Sequence, residues 1–479
     1  MIPSGNPAAA GAGILLMKFG GTSMGSAERM RTAGQILAAE SRKRPVAVVV
    51  SAMSKVTDLL LQILRHAEGG DRAGVEENLR QLEERHTEAA RELLPKAEAE
   101  RAYAAIHAML MEVDRIARGM EMLGERPPRS VDEAIAVGER LSAMLMAAHL
   151  EDIGVSASAV NARDVIVTDA VFGNATPLLD ATRDRSERIL RPLLDKGVLP
   201  VVTGFNGATM DGRPTTLGRG GSDFSASILA GALDAGELWI WTDVDGIMSA
   251  DPRLVKNARV LETITYREAA ELAYNGAKVL HPRTLAPLMQ KGIPVWSKNS
   301  FNIPAPGTKI VPGLGNSGGP KAVTSMANVA LVAIEPVSAE INNTLVIGRA
   351  LEALAQANVE VLTFLSSSYQ QSFCFLIRKD ELSQAMLALE SSLSLEFAHN
   401  YLRMPAVDEN VGLLAVVGEG MKGHPGLAGR IFTAISRENI NIIAISQGPS
   451  ELTIGIVVRR DGLERAVQAV HAECEMGVV

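Results

Sequence analysis

Short runs of aliphatic residues recur along the first two thirds of the chain, separated by longer stretches that have helical spacing. These runs are ILLMKF at 14–19, VAVVVSA at 46–52, VLPVVTGF at 198–205 and ELWIWTDV at 237–244. Continuous apolar runs of this kind are typical of strands that are buried on both faces of a mostly parallel sheet. The pattern therefore predicts one α/β domain over residues 14–312, with its sheet lying between helices.

Between about residue 56 and residue 150 the pattern is helical and rich in charge. The segment EENLRQLEERHTEAARELL at 76–94 is an example. Charge runs of this kind usually mark the solvated face of a helix. We expect His66, His86 and His107, which lie in this region, to be surface residues.

A stretch rich in Gly, Pro and Ser, GLGNSGGP at 313–320, comes directly after the first predicted domain. Its composition is typical of a linker and predicts a domain boundary over 313–321. Two copies of one pattern come next, at 322–400 and 408–479, each with a strand, a helix, two strands and a second helix. This βαββα repeat resembles the ACT domain, a small-molecule-sensing module of order βαββαβ. The second copy ends soon after its last helix, and we predict that the strand KAVTSMANV near 321–329 supplies its missing strand.

Composition and charge narrow the class of protein. The 479 residues are 47% hydrophobic and carry a net charge of −8, and no cluster of Lys and Arg is interleaved with aromatic residues. We therefore expect no nucleic-acid partner. Because no run of about 18 apolar residues and no signal-peptide pattern occurs, we expect a cytoplasmic protein without membrane contact. The two cysteines, Cys374 and Cys474, have no metal-ligand spacing.

The most informative motif is LMKFGGTSM at 16–24, in which an apolar strand, a lysine and two glycines precede a predicted helix. The adjacent glycines let backbone N–H groups approach a phosphate closely. A helix N-terminus, with Thr22 or Ser23 as its cap, would add partial positive charge. Lys18 is then placed to reach a transferring phosphoryl group. Taken alone, GGTS is equally compatible with a simple strand-to-helix turn and a solvated lysine.

A second motif, TLGRGGSD at 216–223, places an arginine between glycines at the start of a predicted helix. Arg219 offers a planar fork that matches a carboxylate. Ser222 is placed to cap the helix, and Asp223 lies in its first turn. The alternative is structural, with Asp223 as a helix-favouring acid and Arg219 as a salt-bridge partner.

Both motifs resemble those of the aspartokinase family. All nine positions of LMKFGGTSM match the family signature, and LGRGGSD, VVVSAMSKVTD at 48–58 and AVGERLSA at 136–143 resemble its further site motifs. The resemblance covers nearly the whole chain after residue 14 and looks especially like the kinase portion of bifunctional aspartokinase–homoserine dehydrogenases. Because the chain stops before a dehydrogenase could begin, we expect a monofunctional enzyme. The implied architecture is α/β, an amino-acid-kinase fold followed by two βαββαβ ACT domains.

The resemblance implies ATP-dependent phosphorylation of the aspartate side-chain carboxylate, which gives 4-phospho-L-aspartate and ADP. This is the first step of the aspartate-family amino-acid pathway, which leads to lysine and threonine. A carboxylate is already ionised at pH 7, so its attack on phosphorus needs positive charge rather than a general base. The implied cofactors are ATP as co-substrate and a Mg²⁺ ion bridged by the phosphates, with no resident metal site.

The resemblance also carries over residue roles. The catalytic residues would be Lys18, Arg219 and Asp223, with Asp223 organising Lys18. The residues implied in binding aspartate are Ser51, Thr57, Glu139, Arg219, Gly220, Gly221 and Ser222. Within that set Glu139 would pair with the ammonium group, to which Thr57 would hydrogen-bond, and Arg219 and Ser222 with the carboxylates. The residues implied in binding ATP are Lys18, Phe19, Gly20, Gly21, Thr22, Thr242, Asp243, Met248, Arg253, Lys278 and Val279. Met248 departs from the family, in which a tyrosine is common, and would replace an aromatic packing surface with a thioether.

In the family, feedback amino acids bind between ACT domains and shift a dimer between active and inhibited arrangements. We therefore expect a homodimer or homotetramer formed through the ACT domains, with lysine or threonine as a possible effector. The first copy has VSAEINNTLVIG at 337–348 and LSSSYQQS at 365–372 in place of a more typical threonine- and serine-rich segment. For this reason we expect weak or altered inhibition.

Two other functions stay open on the sequence. A kinase of the same fold that acts on glutamate or carbamate is disfavoured by the tandem ACT pair and by LGRGGSD together with VGERLSA. A non-catalytic amino-acid sensor is disfavoured by the intact Lys18, Arg219 and Asp223. The glycines of GEGMKG at 418–423 formally fit a dinucleotide fingerprint, but Pro425 and Gly426 separate them from the next helix.

Overall fold

The computed structural model describes residues 13–277, 280, 282–313, 318–337, 342–367 and 372–476. The chain divides into two compact units. The first consists of Met1–Ile247, Glu262–Tyr266 and Leu280–Gly313, and the second of Met248–Leu261, Arg267–Val279 and Leu314–Val479. The sequence-based division placed residues 248–261 and 267–277 in the first domain, whereas their contacts place them in the second unit.

Up to residue 313 the structure contains eleven strands and eleven helices in its described part. The strands are β1 (Leu15–Phe19), β2 (Val46–Val50), β3 (Ala157–Val160), β4 (Val167–Thr168), β5 (Leu199–Thr203), β6 (Asn206–Thr209), β7 (Pro214–Thr216), β8 (Glu237–Thr242), β9 (Thr263–Thr265), β10 (Val295–Asn299) and β11 (Thr308–Val311). The helices are α1 (Ala27–Ser41), α2 (Val56–Glu68), α3 (Arg72–Leu93), α4 (Lys96–Leu123), α5 (Pro128–Ile135), α6 (Val137–Asp152), α7 (Leu179–Ile189), α8 (Arg191–Asp195), α9 (Gly221–Ala232), α10 (Tyr266–Tyr274) and α11 (Pro282–Met289).

The first unit is built around an eight-stranded sheet with the strand order β3-β5-β2-β1-β8-β10-β11-β9. Neighbouring strands are parallel except for β10 and β11. Strand β1 lies between β2 and β8, where Phe19 is opposite Val50 on one side and Trp241 on the other. The prediction of a mostly parallel sheet is confirmed, and the carboxyl ends of β5, β2, β1, β8 and β10 share one edge. Strands β4, β6 and β7 form a separate three-stranded sheet.

His86 lies inside the helical cover of this unit. It has no exposed surface, and its Nδ1 lies 2.6 Å from the carbonyl oxygen of Leu82. The prediction that His86 is a surface residue was wrong because His86 stands four residues after Leu82, on the apolar stripe of α3. His107 is exposed and His66 is partly exposed.

After residue 318 the described chain forms one six-stranded sheet with the order β13-β14-β12-β15-β17-β16. The strands are β12 (Ala322–Ile334), β13 (Val361–Ser366), β14 (Phe373–Arg378), β15 (Ala406–Val417), β16 (Ile442–Gln447) and β17 (Thr453–Arg459). The helices are α12 (Asn343–Gln356), α13 (Leu382–Ser392), α14 (Ser394–Ala398), α15 (Leu427–Arg437) and α16 (Leu463–Glu473). Among the described helices of the whole chain, none has the length and hydrophobicity that crossing a bilayer requires.

The two longest strands of this sheet, β12 and β15, are each shared by both repeats. The first part of β12, Ala322–Met326, pairs with Leu413–Val417 of β15, which in turn pairs with β17 of the second repeat. The later part of β12, Val329–Ile334, pairs with β14 of the first repeat and with the start of β15. Each βαββα copy therefore receives a fourth strand from the other copy, and a register shift between Met326 and Val329 marks the crossover.

Apolar side chains of four helices pack on this sheet. Residues of α12 and α13 pack on the first repeat, and residues of α15 and α16 pack on the second. Ala250 and Val255, from the segment 248–261, belong to the α15–α16 cluster. In addition, the Oγ of Ser249 lies 3.0 Å from Nε2 of the buried His471. This packing is why the segment belongs to the second unit.

We predict that His86 makes the first unit sensitive to acid. Burial lowers the pKa of His86 to about 4, whereas an unfolded histidine titrates near 6.5. As the pH falls through 6.5 the unfolded chain takes up a proton that the folded chain does not, so stability is lost between pH 6.5 and 4. A His86→Leu variant should therefore show a smaller fall in thermal unfolding midpoint between pH 7 and pH 5 than the wild type. An equal fall in both proteins would contradict the prediction.

Candidate active site

The turns that follow four neighbouring parallel strands are joined by backbone hydrogen bonds. The N–H of Ser51, after β2, donates to the carbonyl of Phe19 at 3.1 Å, and the N–H of Gly20 donates to the carbonyl of Trp241 at 3.4 Å. The N–H of Gly204, after β5, donates to the carbonyl of the last β2 residue at 2.8 Å. The sheet thus collects the predicted motifs of β1, β2 and β8 at one edge, as parallel strands do at their carboxyl ends.

Gly20 and Gly21 occupy positions where a side chain would make tight contacts. A Cβ at Gly20 would lie 3.3 Å from Nζ of Lys18, and one at Gly21 would lie 3.2 Å from the carbonyl oxygen of Ala52. The predicted capping role of Thr22 or Ser23 is wrong, because α1 begins at Ala27 and Ser26 accepts the capping hydrogen bond. The buried hydroxyl of Ser23 instead lies 2.8 Å from that of Ser300. The glycine turn is therefore separate from the N-terminus of α1, and its Gly20 N–H already donates to the carbonyl of Trp241.

The buried Lys18 forms an ion pair with the half-buried Asp223. The Lys18 Nζ lies 2.5 Å from Oδ1 of Asp223, and Lys18 is only 8% exposed. Lys18 comes from the central strand β1, and Asp223 comes from the first turn of α9. The pair brings the two sequence motifs to one point, which supports the expectation that Asp223 organises Lys18.

The loop before α9 turns twice through the left-handed region, at Gly218 (φ +75°) and Gly220 (φ +71°). Arg219, between them, is exposed, and within the described residues it has no ion pair or hydrogen bond. Helix α9 begins at Gly221 with Gly220 as its N-cap residue, so the prediction that Ser222 caps the helix is wrong. The Ser222 side chain packs against Gly204, where a Cβ would lie 2.7 Å from Oγ of Ser222.

Glu139 is a buried carboxylate with one oxygen that has no partner. It is 3% exposed in the first turn of α6, and its Oε2 has no hydrogen-bond partner in the described structure. Backbone N–H groups, including that of Ala52, contact the carboxylate, but burial outweighs them and raises its pKa to about 8. A Cβ at Gly138 would lie 2.9 Å from Cβ of Ala52, so α6 packs closely on the segment that carries Ser51 and Thr57.

The predicted ATP residues fall in both units. Thr242 and Asp243 end β8 at the shared edge, and the Thr242 hydroxyl donates to Oδ1 of Asp243 at 3.3 Å. Met248 and Arg253 belong to the second unit. There Met248 forms an isolated antiparallel β-bridge with Val260, and Arg253 forms an ion pair of 2.5 Å with Asp251. Lys278 and Val279 lie outside the described residues. The roles of these four residues in binding ATP remain predictions.

Sequence reasoning missed the loop that follows β10. The Nδ2 of Asn299 donates to Oδ1 of Asp245 at 2.7 Å, and the Asn302 amide donates to the same oxygen at 3.0 Å. The Ser300 hydroxyl donates to the carbonyl of Thr242 at 3.1 Å. The signal was available, since IPVWSKNS at 293–300 is an apolar run that ends in polar residues, like the other strands of this edge.

The described residues contain no group of three or more His, Cys, Asp or Glu side chains that could hold a metal ion. A Mg²⁺ ion that is carried by nucleotide phosphates and water needs only one or two protein carboxylates. Asp223, Asp243 and Asp245 are carboxylates at this edge of the sheet, and one or two of them would contact the ion. When bound, the ion would offset the negative charge of the phosphates.

Comparison with known families and proteins gives consistent matches. The amino acid kinase family matches residues 13–299, and an ACT domain family matches residues 414–474. The chain is 34% identical over 464 residues to bifunctional aspartokinase/homoserine dehydrogenase 1, chloroplastic, of Arabidopsis thaliana, covering 95% of this chain and 50% of that protein. It is also 34% identical over 476 residues to aspartokinase 3, chloroplastic, of the same plant, covering 95% and 81%. The chain thus spans about half the length of the bifunctional relatives that it matches.

The chain is also similar to solved structures of aspartokinases. E. coli aspartokinase III in complex with aspartate and ADP (R-state) matches with a TM-score of 0.82 and 29% identity, covering 96% of this chain and 99% of that one. The same enzyme in complex with lysine and aspartate (T-state) matches with a TM-score of 0.78 and 30% identity, with the same coverage. Aspartate kinase of Clostridium acetobutylicum matches with a TM-score of 0.77 and 25% identity, covering 96% and 100%.

We predict that Asp223 is more than a helix-favouring acid. In Asp223→Asn the buried Lys18 keeps a polar neighbour of the same shape but loses its ionic partner, and ATP turnover should fall about 10²-fold, as when one oxyanion-stabilising donor is removed. Glu28, an exposed acid in the first turn of α1, is the matched control. Glu28→Gln should leave turnover within about twofold. Similar small effects in both variants would favour the purely structural role.

Proposed function

Since this chain belongs to the aspartokinase family, a branch of the amino acid kinases, we propose that it transfers the γ-phosphate of ATP to the side-chain carboxylate of L-aspartate. The products are 4-phospho-L-aspartate and ADP. The proposal is supported by the 34% identity to aspartokinase 3 and by the likeness to E. coli aspartokinase III, whose structure holds aspartate and ADP. The reaction would be the first step toward the amino acids derived from aspartate, lysine and threonine among them.

The observation that carries the proposal is the unpartnered oxygen of Glu139. Burying a carboxylate costs free energy of desolvation unless a cation or hydrogen-bond donors interact with its oxygens. The ammonium group of an amino acid would supply both a charge and N–H donors at this place. Acetate has no amino group, and the nitrogen of carbamate is not basic. Either acceptor would leave the Glu139 carboxylate without a cationic partner. Glu139 therefore favours an amino acid as the acceptor.

The other predicted site residues would each bind a different negatively charged group of the substrates. Lys18, held by Asp223, would contact the phosphoryl group that is transferred, while the backbone N–H of Gly21 in the glycine turn would contact the nucleotide phosphates. Arg219, which has no protein partner among the described residues, would bind a carboxylate of the acceptor with its planar fork. Two anions can then meet in line because cations and N–H groups surround both of them.

We also propose that the enzyme is cytoplasmic and forms a homodimer or homotetramer through its ACT repeats, with an amino acid such as lysine or threonine as effector. The support is the lysine complex of E. coli aspartokinase III and the tandem repeat of this chain. An effector acts by binding one of two arrangements more tightly than the other. Residues 338–341 and 368–371, in the two segments that led us to expect weak or altered inhibition, lie outside the described residues.

The acceptor is tested by trapping acyl phosphate with hydroxylamine. Purified protein with ATP and Mg²⁺ should form hydroxamate with L-aspartate at least about tenfold faster than with L-glutamate, carbamate or acetate, because only aspartate places both the ammonium and the carboxylate correctly. Faster reaction with another acid would replace the proposed substrate. Absence of ATP turnover with every acid would favour a sensor.

Binding of aspartate should release a proton. In the free enzyme Glu139, with its pKa raised to about 8 by burial, is mostly protonated at pH 7. An ammonium group beside it would favour the ionised form, so the proton leaves. Calorimetry in buffers of different ionisation enthalpy should show release of about one proton for each aspartate bound at pH 7. Glu139→Gln should bind weakly and without this release, and an equal release from that variant would exclude Glu139 as the source.

Inhibition is tested by titrating turnover with lysine and threonine, singly and together. We expect little inhibition below about 1 mM, because the first ACT repeat departs from the typical effector-binding sequence. Strong inhibition at sub-millimolar concentration would reject this expectation.

A further inference from the structure

Asp132 is a buried carboxylate to which none of the roles described so far applies. It lies in α5 and is 1% exposed. Its Oδ2 accepts hydrogen bonds from the N–H of Gly173 at 2.8 Å and from the N–H of Thr216 at 2.9 Å. Its Oδ1 accepts a hydrogen bond from the Thr216 hydroxyl at 2.8 Å. All three donors are neutral groups of two separate segments.

These two segments lie beside the arginine loop. Thr216 is the last residue of β7, three residues before Arg219, and Gly173 belongs to the turn between β4 and α7. The carbonyl of Thr216 also accepts the N–H of Ala175 at 2.8 Å, so the turn and the strand end are joined directly as well as through Asp132. A Cβ at Gly218 would lie 2.7 Å from Oδ1 of Asn174, which shows how closely the turn approaches the loop.

The 216–223 loop contains glycines that leave its backbone free to adopt many conformations, so the position of Arg219 depends on how the ends of the loop are held. Two glycines in the left-handed region flank Arg219, and glycine-rich segments have many accessible backbone conformations. Arg219 itself has no ion pair or hydrogen bond with the described residues that would hold it. On the C-terminal side the loop is fixed by α9. On the N-terminal side the N–H of the buried Leu217 donates to the carbonyl of Phe205 at 2.9 Å, and Thr216 beside it is held by Asp132. A site that binds a carboxylate through one arginine gains from holding that arginine in place before the substrate arrives.

We propose that Asp132 is a positioning residue for phosphoryl transfer, which fixes Arg219 by clamping the end of β7 to the turn at Gly173. Asp132 touches neither substrate nor nucleotide and acts through the backbone of the 216–223 loop. The kinetic part of this inference rests on the proposed function, in which Arg219 binds the acceptor. The clamp itself is a property of the free protein and is tested separately.

Thr216→Val is the decisive variant, since it keeps the shape of the side chain and removes only the hydroxyl that binds Asp132. Thr215→Val is the matched control: Thr215 is the neighbouring buried residue of the same strand, and its hydroxyl lies 2.7 Å from that of Thr168 instead. Thr216→Ser restores the hydroxyl without the methyl group. Asp132→Asn can keep all three contacts, because the amide oxygen accepts both N–H groups and the amide nitrogen donates to the Thr216 hydroxyl once that hydroxyl turns.

The kinetic readout separates positioning from general stability. Thr216→Val should raise KM for aspartate about fivefold, the range for one lost buried hydrogen bond, with KM for ATP within about twofold of the wild type. Thr216→Ser and Asp132→Asn should return KM for aspartate to within about twofold. Thr215→Val should leave both constants near the wild type even if its unfolding midpoint falls equally. Equal effects of the two valine variants, or an equal rise of both KM values, would overturn the proposal.

Hydrogen exchange in the free protein tests the clamp without any substrate. Peptides that cover residues 217–224 should exchange faster in Thr216→Val than in the wild type and in Thr215→Val. Unchanged exchange would overturn the clamp even if the kinetics changed. If the wild type shows no aspartate-dependent turnover, the proposed function fails, while faster exchange in Thr216→Val alone would still establish the anchor.

Discussion

The candidate site depends on the ion pair between the buried Lys18 and Asp223. An ammonium group taken out of water costs several kcal/mol unless a partner stands beside it, and Lys18 is buried at the end of the central strand of the sheet. Asp223 keeps that charge in place 2.5 Å away, at the start of α9. Because β1 carries one glycine motif and α9 follows the other, the same contact fixes both motifs relative to each other. The positive charge that a reaction between two anions requires is thus built into the fold.

Around this pair the site is shaped mainly by backbone, and glycine supplies the space. Gly20 and Gly21 let their turn approach Lys18 and the segment after β2, and Gly204 leaves room for the side chain of Ser222. Few side chains would then carry the proposed chemistry, and each is held differently: Lys18 by an ion pair, Glu139 by burial, and Arg219 through the backbone of its loop. The second unit is held together by strand sharing. Its two long strands are each shared by both repeats, so neither repeat has a complete sheet alone.

Much of this could be predicted from sequence because it follows from local patterns. Continuous apolar runs predicted the parallel sheet, and the resemblance to the aspartokinase family implied that Asp223 organises Lys18, two residues that form an ion pair in the structure. The errors came where tertiary packing decides. His86 is buried because α3 packs that stripe inward, and Ser26 rather than Thr22 or Ser23 caps α1 because the glycine turn extends further than the motif indicates. The assignment of residues 248–261 to the second unit depends on distant partners such as His471, which no local pattern reveals.

The central claim is that Lys18 and Asp223 act as one unit, and a double-mutant cycle on kcat/KM tests it most directly. The enzyme would be measured as wild type, Lys18→Met, Asp223→Asn and the double variant, with saturating Mg²⁺. If Asp223 acts through Lys18, the double variant should be no slower than Lys18→Met alone, because removal of the ammonium group leaves the carboxylate nothing to organise. If the two losses instead multiply, the residues act independently and the account is contradicted.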